Sequence, residues 1–189
     1  MNVLIDGLPS ATEIDGVCYD LNTDYRIGLQ IMIAFEDPEL TEFEKQLVMV
    51  NLLYNNVPKN KAKAAEMAVK FLNCGQDTKQ GSEEVDSTRY YSWVQDARYI
   101  MSAIEQSYNI DLSVDRLHWW RFSSMFLDLK EDCFFSRLIY LRKQKSKGKL
   151  TKEEKEWYYS MREIVDLPEV YSGEEQSAIN KFMQMLGTN

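Results

Sequence analysis

The fold is decided by the stretch Leu117-His118-Trp119-Trp120-Arg121-Phe122-Ser123-Ser124-Met125-Phe126. Its apolar and aromatic side chains recur at the three- and four-residue spacing of an α-helix, and the adjacent tryptophans spread the aromatic surface around the helix axis. The two small serines leave room for a neighbouring helix to approach. The pattern predicts a buried, central helix over residues 113–129, with Ser113 as its N-cap.

Other amphipathic segments surround this central helix. Each combines apolar residues at helical spacing with a capping signal or with a terminating proline or glycine. The run over residues 24–35 is apolar on nearly every face, so a strand also fits its pattern, but its length and a cap at Asn22 or Thr23 favour a buried helix. The other predicted helices cover residues 41–54, the stretch between Pro58 and Gly75, and residues 93–108, 132–141, 151–165 and 174–186.

Signals at the helix ends support several of these boundaries. Thr41-Glu42-Phe43-Glu44 and Thr151-Lys152-Glu153-Glu154 are capping boxes, in which a threonine and the glutamate three residues later satisfy each other's free backbone N–H groups. Asp132 is a predicted N-cap, and Gly75 is a predicted C-cap. The apolar face predicted for the helix at 41–54 consists of Phe43, Leu47, Val50 and Tyr54. The apolar face predicted for the helix at 93–108 consists of Trp93, Ala97, Ile100, Met101, Ile104 and Tyr108.

An Asp-Gly pair predicts a β-hairpin near the start of the sequence. Asp15-Gly16 lies between two short runs that contain apolar residues, and this dipeptide suits a tight hairpin turn. With the helices, it predicts a mainly α fold, namely a compact domain of seven to eight helices with a small N-terminal β-hairpin. The expected parts of this one structural domain are a hairpin with helices at 1–75, a polar linker at 76–88, an aromatic-rich helical part at 89–168 and a C-terminal helix at 169–189.

Composition places the chain among globular proteins. It has 189 residues, of which 44% are apolar and 28% charged. The apolar runs are far shorter than the roughly 20 residues of a membrane-spanning helix, and the first residues lack the features of a secretory signal, so we expect a soluble, cytosolic protein. The cysteines Cys18, Cys74 and Cys133 are widely spaced, which predicts reduced, buried thiols.

Charge is distributed unevenly along the chain, whose formal net charge is −8. Residues 1–60 contain ten acidic and three basic side chains, whereas residues 137–152 contain seven basic and no acidic ones. The basic block is compatible with nucleic-acid binding, but its place at a predicted helix C-terminus and in a loop favours a solvated surface. It also has too few interleaved aromatic residues for base stacking. Arg142, Lys143 and Lys145 are kept as candidate partner-binding residues.

The sequence contains no recognisable catalytic, cofactor-binding or metal-binding motif. His118 is the single histidine, and glycine-rich phosphate loops, nucleophile elbows and zinc-protease motifs are all missing. The position of His118 on an apolar stripe favours a packed histidine over a general base. We therefore expect a protein that is not an enzyme and that takes no cofactor or metal. Because aromatic and methionine side chains make adaptable binding surfaces, the other candidate partner-binding residues are Trp119, Trp120, Phe182, Met183 and Met185.

Several strings between the hairpin and Pro168 resemble the bacteriophage gene-product-fifteen family. The most specific are Tyr108-Asn109-Ile110-Asp111-Leu112 and the Leu-His-Trp-Trp-Arg-Phe string that begins at Leu117. Asn109 stands where the family usually has glycine, but asparagine also tolerates the left-handed conformation that ends many helices. The other matching strings are Ile14-Asp15-Gly16, Asn22-Thr23-Asp24-Tyr25-Arg26, Phe71-Leu72-Asn73-Cys74-Gly75, Gln95-Asp96-Ala97-Arg98-Tyr99-Ile100 and Lys147-Gly148-Lys149-Leu150.

This resemblance implies a role in assembling the tail of a phage or prophage, in the cytoplasm of the host bacterium. Members of the family are encoded beside the tape measure gene and resemble tail assembly chaperones, so the expected partner is the tape measure protein or another tail protein. One alternative is a structural component that stays in the tail, at a connector or baseplate. Another is a nucleic-acid-binding regulator that uses residues 137–152. We expect no membrane partner.

Overall fold

A computed structural model describes residues 2–76 and 89–168 of the chain. This described part is mainly helical and contains a two-stranded antiparallel hairpin, which confirms the predicted fold class. Its first helix has four residues and is absent from the sequence prediction. The predicted linker, apart from Gln76, and the predicted helix at 174–186 lie outside the described residues. The elements are α1 (Val3–Asp6), β1 (Ala11–Ile14), β2 (Val17–Asp20), α2 (Tyr25–Glu36), α3 (Glu42–Leu53), α4 (Lys61–Leu72), α5 (Ala97–Tyr108), α6 (Trp119–Leu127), α7 (Phe134–Ser146), α8 (Lys152–Ser160) and α9 (Arg162–Val165).

The β-hairpin turns at Asp15-Gly16, as predicted. Both residues have a positive φ, of 52° and 76°, which a tight two-residue hairpin turn requires. The Asp15 carboxylate accepts hydrogen bonds from the side chains of Asn60 (2.9 Å) and Lys63 (3.0 Å) at the start of α4. These two bonds lower the pKa of Asp15. The hairpin turn is therefore fixed to the helical body by a charged contact.

Capping residues at the helix starts confirm some of the predicted boundaries. Both capping boxes are present, with Thr41 before α3 and Thr151 before α8. The predicted helix over residues 24–35 is confirmed as α2, but its N-cap is Asp24 rather than Asn22 or Thr23. The carboxylate of Asp24 accepts a backbone hydrogen bond within the first helical turn (2.9 Å). The chain therefore enters this helix later than the sequence prediction places it.

Two helices begin at caps that the sequence prediction missed. The N-cap of α7 is Cys133 rather than Asp132, and its sulfur accepts a backbone hydrogen bond. The N-cap of α6 is His118 rather than Ser113, so the central helix is shorter than predicted. The Nδ1 atom of His118 accepts a hydrogen bond from the backbone N–H of Trp120 (3.1 Å), in the place usually taken by a serine or aspartate oxygen.

The late start of α6 follows from backbone pairing with the other half of the chain. The N–H of Tyr25 donates to the carbonyl oxygen of Leu117 (2.9 Å), and the N–H of Trp119 donates to the carbonyl oxygen of Thr23 (2.7 Å). Because these bonds hold the backbone on both sides of His118 in an extended bridge, the helix cannot include the preceding residues. Residues before α2 and before α6 therefore align the two helices.

Left-handed residues end two of the helices. At the end of α4 the C-cap is Asn73, and the next two residues, Cys74 and Gly75, have φ values of 55° and 78°. The backbone N–H groups of these two residues donate to carbonyl oxygens of the last helical turn, so Gly75 completes the cap that the sequence prediction assigned to it alone. At the end of α5, Asn109 has a φ of 54°, which confirms that asparagine serves where a helix end needs this conformation.

The buried face of α3 differs in part from the prediction. Val50 and Tyr54 are buried as predicted, but Phe43 is 69% exposed and Leu47 is also exposed. The helix packs against both α2 and α4, and its buried residues all lie in its C-terminal half, so its first turns extend beyond the core. The residues buried within α3 are Met49, Val50 and Leu53.

Two further helices have boundaries that the apolar spacing did not predict. α5 begins at Ala97 rather than Trp93, because the chain forms a turn before the helix, and Met101 lies on its exposed side. Trp93 is nevertheless buried. The predicted helix over residues 151–165 is divided into α8 and α9 at Met161, whose backbone is not helical.

One large hydrophobic cluster, which we call the main core, draws residues from both described ranges of the chain. Its centre is α6, which packs against α2 so closely that a Cβ atom on Gly28 would lie 2.1 Å from the Trp119 ring. Phe122, on the same helix, is fully buried and stacks on Tyr25 with ring centroids 4.9 Å apart. The aromatic central helix predicted from the sequence is thus confirmed in its packing role.

A second cluster, which we call the small core, joins α7 to α8 and α9. Its buried residues are Leu138, Leu141, Tyr158 and Val165, and Trp157 packs partly buried against them. The cysteines are distributed differently from the prediction: all three are free, but Cys18 is exposed, Cys74 is half-buried and only Cys133 is buried. The described residues include no helix that is long and apolar enough to span a membrane.

Candidate functional site

The tryptophans proposed as partner-binding residues are part of the main core. Trp119 and Trp120 are both buried. Their indole N–H groups donate to the carbonyl oxygens of Leu72 (2.9 Å) and Phe71 (2.7 Å), at the end of α4. These bonds satisfy carbonyl groups that a helix end leaves free. Both side chains connect α6 to α4 inside the protein. Their interpretation as partner-binding residues is therefore corrected to a structural role.

Arg142, another candidate, is buried in an ion pair. Its guanidinium group donates two hydrogen bonds to the carboxylate of Asp96, at 2.6 and 3.0 Å. It also donates to the backbone carbonyl oxygens of Tyr90 (3.1 Å), Ile164 (2.9 Å) and Val165 (2.7 Å). This guanidinium is therefore fully occupied within the protein, and Arg142 is corrected from a surface candidate to a structural residue.

The two lysine candidates lie on the surface of α7 and have contacts within the chain. The ammonium of Lys143 lies 5.5 Å from the ring centroid of Tyr90. The ammonium of Lys145 lies 2.5 Å from a carboxylate oxygen of Asp166, which also accepts from Arg162. Burial alone would raise the pKa of Asp166, but these hydrogen bonds and one from a tyrosine lower it. Part of the basic block is thus neutralised by an acid from another segment.

The remaining candidates, Phe182, Met183 and Met185, lie outside the described residues. His118, considered as a possible base, has both ring nitrogens engaged. Its Nδ1 accepts a hydrogen bond from a backbone N–H, so the proton is on Nε2, which donates to the carbonyl oxygen of Pro9 (2.9 Å). Within residues 2–76 and 89–168, no group of three or more histidine, cysteine, aspartate or glutamate side chains could hold a metal ion.

An open groove of about 630 Å³, which we call the Tyr91 groove, lies over the aromatic part of the main core. Tyr91, Phe126 and Phe135 line it, and their ring centroids are 5.3–6.4 Å apart. Leu127, at the end of α6, stands at its edge with 84% of its surface exposed. Lys143 is also part of the lining. A large exposed leucine beside an aromatic groove is typical of a protein interaction surface.

A second groove, of about 700 Å³, lies on the other side of Arg89, and we call it the Val94 groove. Its apolar lining includes Ile33 from α2, Leu167 from the segment after α9, and Val94, which is 66% exposed. Asp37 also lines it. The groove therefore combines apolar and acidic lining residues.

The two grooves share a wall made of Glu36 and Arg89, whose charged groups are 3.8 Å apart. Burial raises the pKa of Glu36, and the positive charge of Arg89 opposes this shift. The pair joins α2 to the segment that precedes α5. Both grooves thus depend on the contact between the two described ranges of the chain.

Sequence reasoning missed both grooves, although one signal was available. Val94 and Leu127 are apolar residues that do not fall on the predicted stripes of their segments, so they are candidates for exposure. Arg89 and Glu36 carry no local pattern that would connect them, because 52 intervening residues separate them in the sequence. Only the fold brings the lining residues together.

Comparison with known proteins identifies the family of the chain. No curated protein and no solved structure matches it. A family model described as "Bacteriophage Gp15 protein" matches residues 4–167, which is most of the chain. The protein therefore belongs to the bacteriophage Gp15 family.

Proposed function

We propose that this protein is a non-enzymatic tail assembly protein that binds the tape measure protein, as a chaperone or adaptor. Membership of a phage family supports the setting. The observation that carries the binding role is the exposure of Leu127 and Val94 at the edges of two adjacent apolar grooves. Solvent-exposed apolar surface of this kind is stabilised when a partner covers it, by roughly 25 cal/mol for each Å² removed from water.

The shape of this surface suits an amphipathic helix. A helix that lies in a groove inserts side chains spaced three or four residues apart and keeps its polar face in solvent. The Tyr91 groove offers aromatic rings, and the Val94 groove offers aliphatic side chains on the other side of the Glu36–Arg89 pair. A long, apolar helical protein bound in this way would be kept from aggregating until the tail tube forms around it.

If the protein is instead a structural tail component, it would bind its partner through the same grooves. The two roles then differ only in how long the contact lasts. The alternative of a nucleic-acid-binding regulator is less well supported. Arg142 is buried and Lys145 is paired with Asp166, so two of the basic residues that this role would need are already engaged. Phosphate binding depends on basic side chains that are free to release counterions.

The proposal is tested by co-expressing the full chain with the tape measure protein of the same phage and measuring retention on the tagged chain and the soluble fraction of the partner. We expect a soluble complex with the wild-type chain and at least a tenfold loss of retained partner with Leu127→Asp. Leu4→Asp is the matched control, because Leu4 is 92% exposed and lines neither groove.

A tape measure protein that stays insoluble and unbound would exclude the chaperone role. Mass spectrometry of purified particles then separates the remaining alternatives. A structural component is present in a fixed copy number, whereas an assembly chaperone is absent from the finished particle.

A further inference from the structure

The Val94 groove differs from the Tyr91 groove in the charge along its edge. Apart from Arg89, every charged residue that lines the Val94 groove is acidic, namely Glu36, Asp37, Glu163 and Asp166. The Tyr91 groove is lined by one acid and two bases, Arg89 and Lys143. Two neighbouring apolar grooves therefore present opposite charge balances to a partner.

Two of the four acids in the Val94 groove are already compensated. Glu36 is paired with Arg89, and Asp166 is paired with Lys145 and with Arg162. Asp37 and Glu163 have no ion pair within the described residues. Their charges lie on opposite segments of the chain, at the end of α2 and within α9.

Uncompensated acids at the edge of an apolar groove act on both the rate and the specificity of binding. Such charges attract a basic partner over a distance and repel an acidic one, while the apolar lining residues supply the contact area. The attraction acts over about 10 Å at 0.1 M salt, so it weakens as the salt concentration rises.

We propose that the Val94 groove binds a basic amphipathic helix of the partner, with its apolar face on Ile33, Val94 and Leu167 and with lysine or arginine side chains at Asp37 and Glu163. This inference rests on the proposed function, because it names the chemistry of the helix that the tail protein would present. It also assigns the two grooves different roles, since the bases of the Tyr91 groove would repel the same cationic side chains.

The binding of defined peptides to the full chain tests this assignment. Three labelled 18-residue peptides are compared by fluorescence anisotropy: a leucine/lysine amphipathic helix, the same pattern with glutamate in place of lysine, and a lysine/serine peptide without an apolar face. We expect the leucine/lysine peptide to bind at least tenfold more tightly than either of the others, and its affinity to fall as salt is raised.

Matched variants locate the site. Val94→Asp should weaken binding of the leucine/lysine peptide at least tenfold, whereas Val114→Asp should leave it unchanged. Val114 is a close control because it is 72% exposed and lines neither groove. The double variant Asp37→Lys/Glu163→Lys should reverse the preference, so that the leucine/glutamate peptide binds more tightly.

Three results would overturn the proposal: equal effects of Val94→Asp and Val114→Asp, equal binding of the lysine and glutamate peptides, or an unchanged preference in the double variant. A chain that ends at Pro168 and binds the peptide at least tenfold more tightly than the full chain would identify residues 169–189 as the occupant instead. Failure of the proposed function would give a different result. In that case the wild-type chain retains no tape measure protein, whatever the peptides do.

Discussion

In the main core, aromatic rings fill the interior around α6, whereas the small core of α7, α8 and α9 is connected to the start of α5 through a buried ion pair. The Phe122 ring has four aromatic neighbours, with centroids 4.9–6.3 Å away. Arg142 and Asp96 instead meet through two charged hydrogen bonds. Contacts between rings are individually weak but numerous, so neighbouring rings partly compensate when one ring is removed. No neighbouring contact compensates in this way when one member of the ion pair is removed.

This difference sets the sensitivity of each region to change. Asp96 stands at the start of α5 and also accepts a hydrogen bond from the backbone N–H of Ser92 (2.9 Å). Arg142 reaches from α7 to the carbonyl oxygens at the end of α9. One guanidinium thus connects α7 to the start of α5 and to the end of α9.

The largest effect is expected from Arg142→Ala, which leaves the Asp96 carboxylate buried without a partner. Removal of one member of a buried ion pair costs roughly 3–5 kcal/mol in the free energy of unfolding. Urea denaturation measures this loss. Arg142→Lys should not restore stability, because an ammonium cannot make the two parallel bonds. Arg137→Ala, at an exposed site on the same helix, is the control, and an equal effect of both alanine variants would contradict the assignment.

A second effect concerns the main core and appears at high pH. Burial raises the pKa of Tyr54 to about 12, and its hydroxyl donates to the carbonyl oxygen of Ala64 (2.9 Å). The unfolded chain ionises this tyrosine near pH 10, so the contribution of Tyr54 to stability is complete below about pH 10 and is lost as the pH rises to about 12, by roughly 2–3 kcal/mol.

Denaturation curves at several alkaline pH values should show this loss in the wild-type chain. In Tyr54→Phe the part of the pH dependence due to this residue should disappear. Identical slopes for both chains would show that Tyr54 ionises equally easily in the folded and unfolded states.

Gly28→Ala, also in the main core, should lower the free energy of unfolding by no more than the ionisation of Tyr54 does. The added Cβ would lie 2.1 Å from the Trp119 ring, so α2 and α6 must move apart. Overpacking of this kind costs roughly 1–3 kcal/mol. Trp119→Leu makes room at the same place, and the double variant should be more stable than the sum of the two single changes predicts. Strict additivity in this double-mutant cycle would exclude a direct clash.

The smallest effects are expected at the two capping boxes, which provide a matched pair. Thr41→Ala removes the cap of α3 and Thr151→Ala that of α8, and each should cost about 1 kcal/mol. Amide hydrogen exchange distinguishes the two regions. Thr151→Ala should speed exchange in α8 without affecting α6, whereas equal protection throughout would show that the small core does not open by itself.

The parts of the fold that follow from local chemistry were predicted from the sequence. The hairpin turn at Asp15-Gly16 and the capping boxes at Thr41 and Thr151 each depend on residues within a few positions of one another. The start of α6 was missed because histidine rarely caps a helix and because backbone pairing with Thr23 fixes the preceding residues.

The candidate site was less accessible to sequence reasoning. Arg142 lies in a block of basic residues that looks solvated, and its partner Asp96 is 46 positions away, so nothing local marks either residue as buried. Trp119 and Trp120 were correctly placed on a central helix, but a wide aromatic surface does not distinguish a core from a binding face. The grooves are formed by residues from distant segments. The one sequence signal for them was that Val94 and Leu127 do not fall on the predicted apolar stripes of their segments.

The placement of the four tryptophans allows the unfolding of the protein to be followed by its intrinsic fluorescence. Trp93, Trp119 and Trp120 belong to the main core, whereas Trp157 packs against the small core. Indole emission shifts to longer wavelength when the ring meets water, so intrinsic fluorescence of the whole chain is weighted toward the main core. A chain that keeps Trp157 alone, with the others replaced by phenylalanine, would instead signal the departure of α8 from α7. The wild-type chain and this variant therefore allow the two regions to be followed separately, without any added dye.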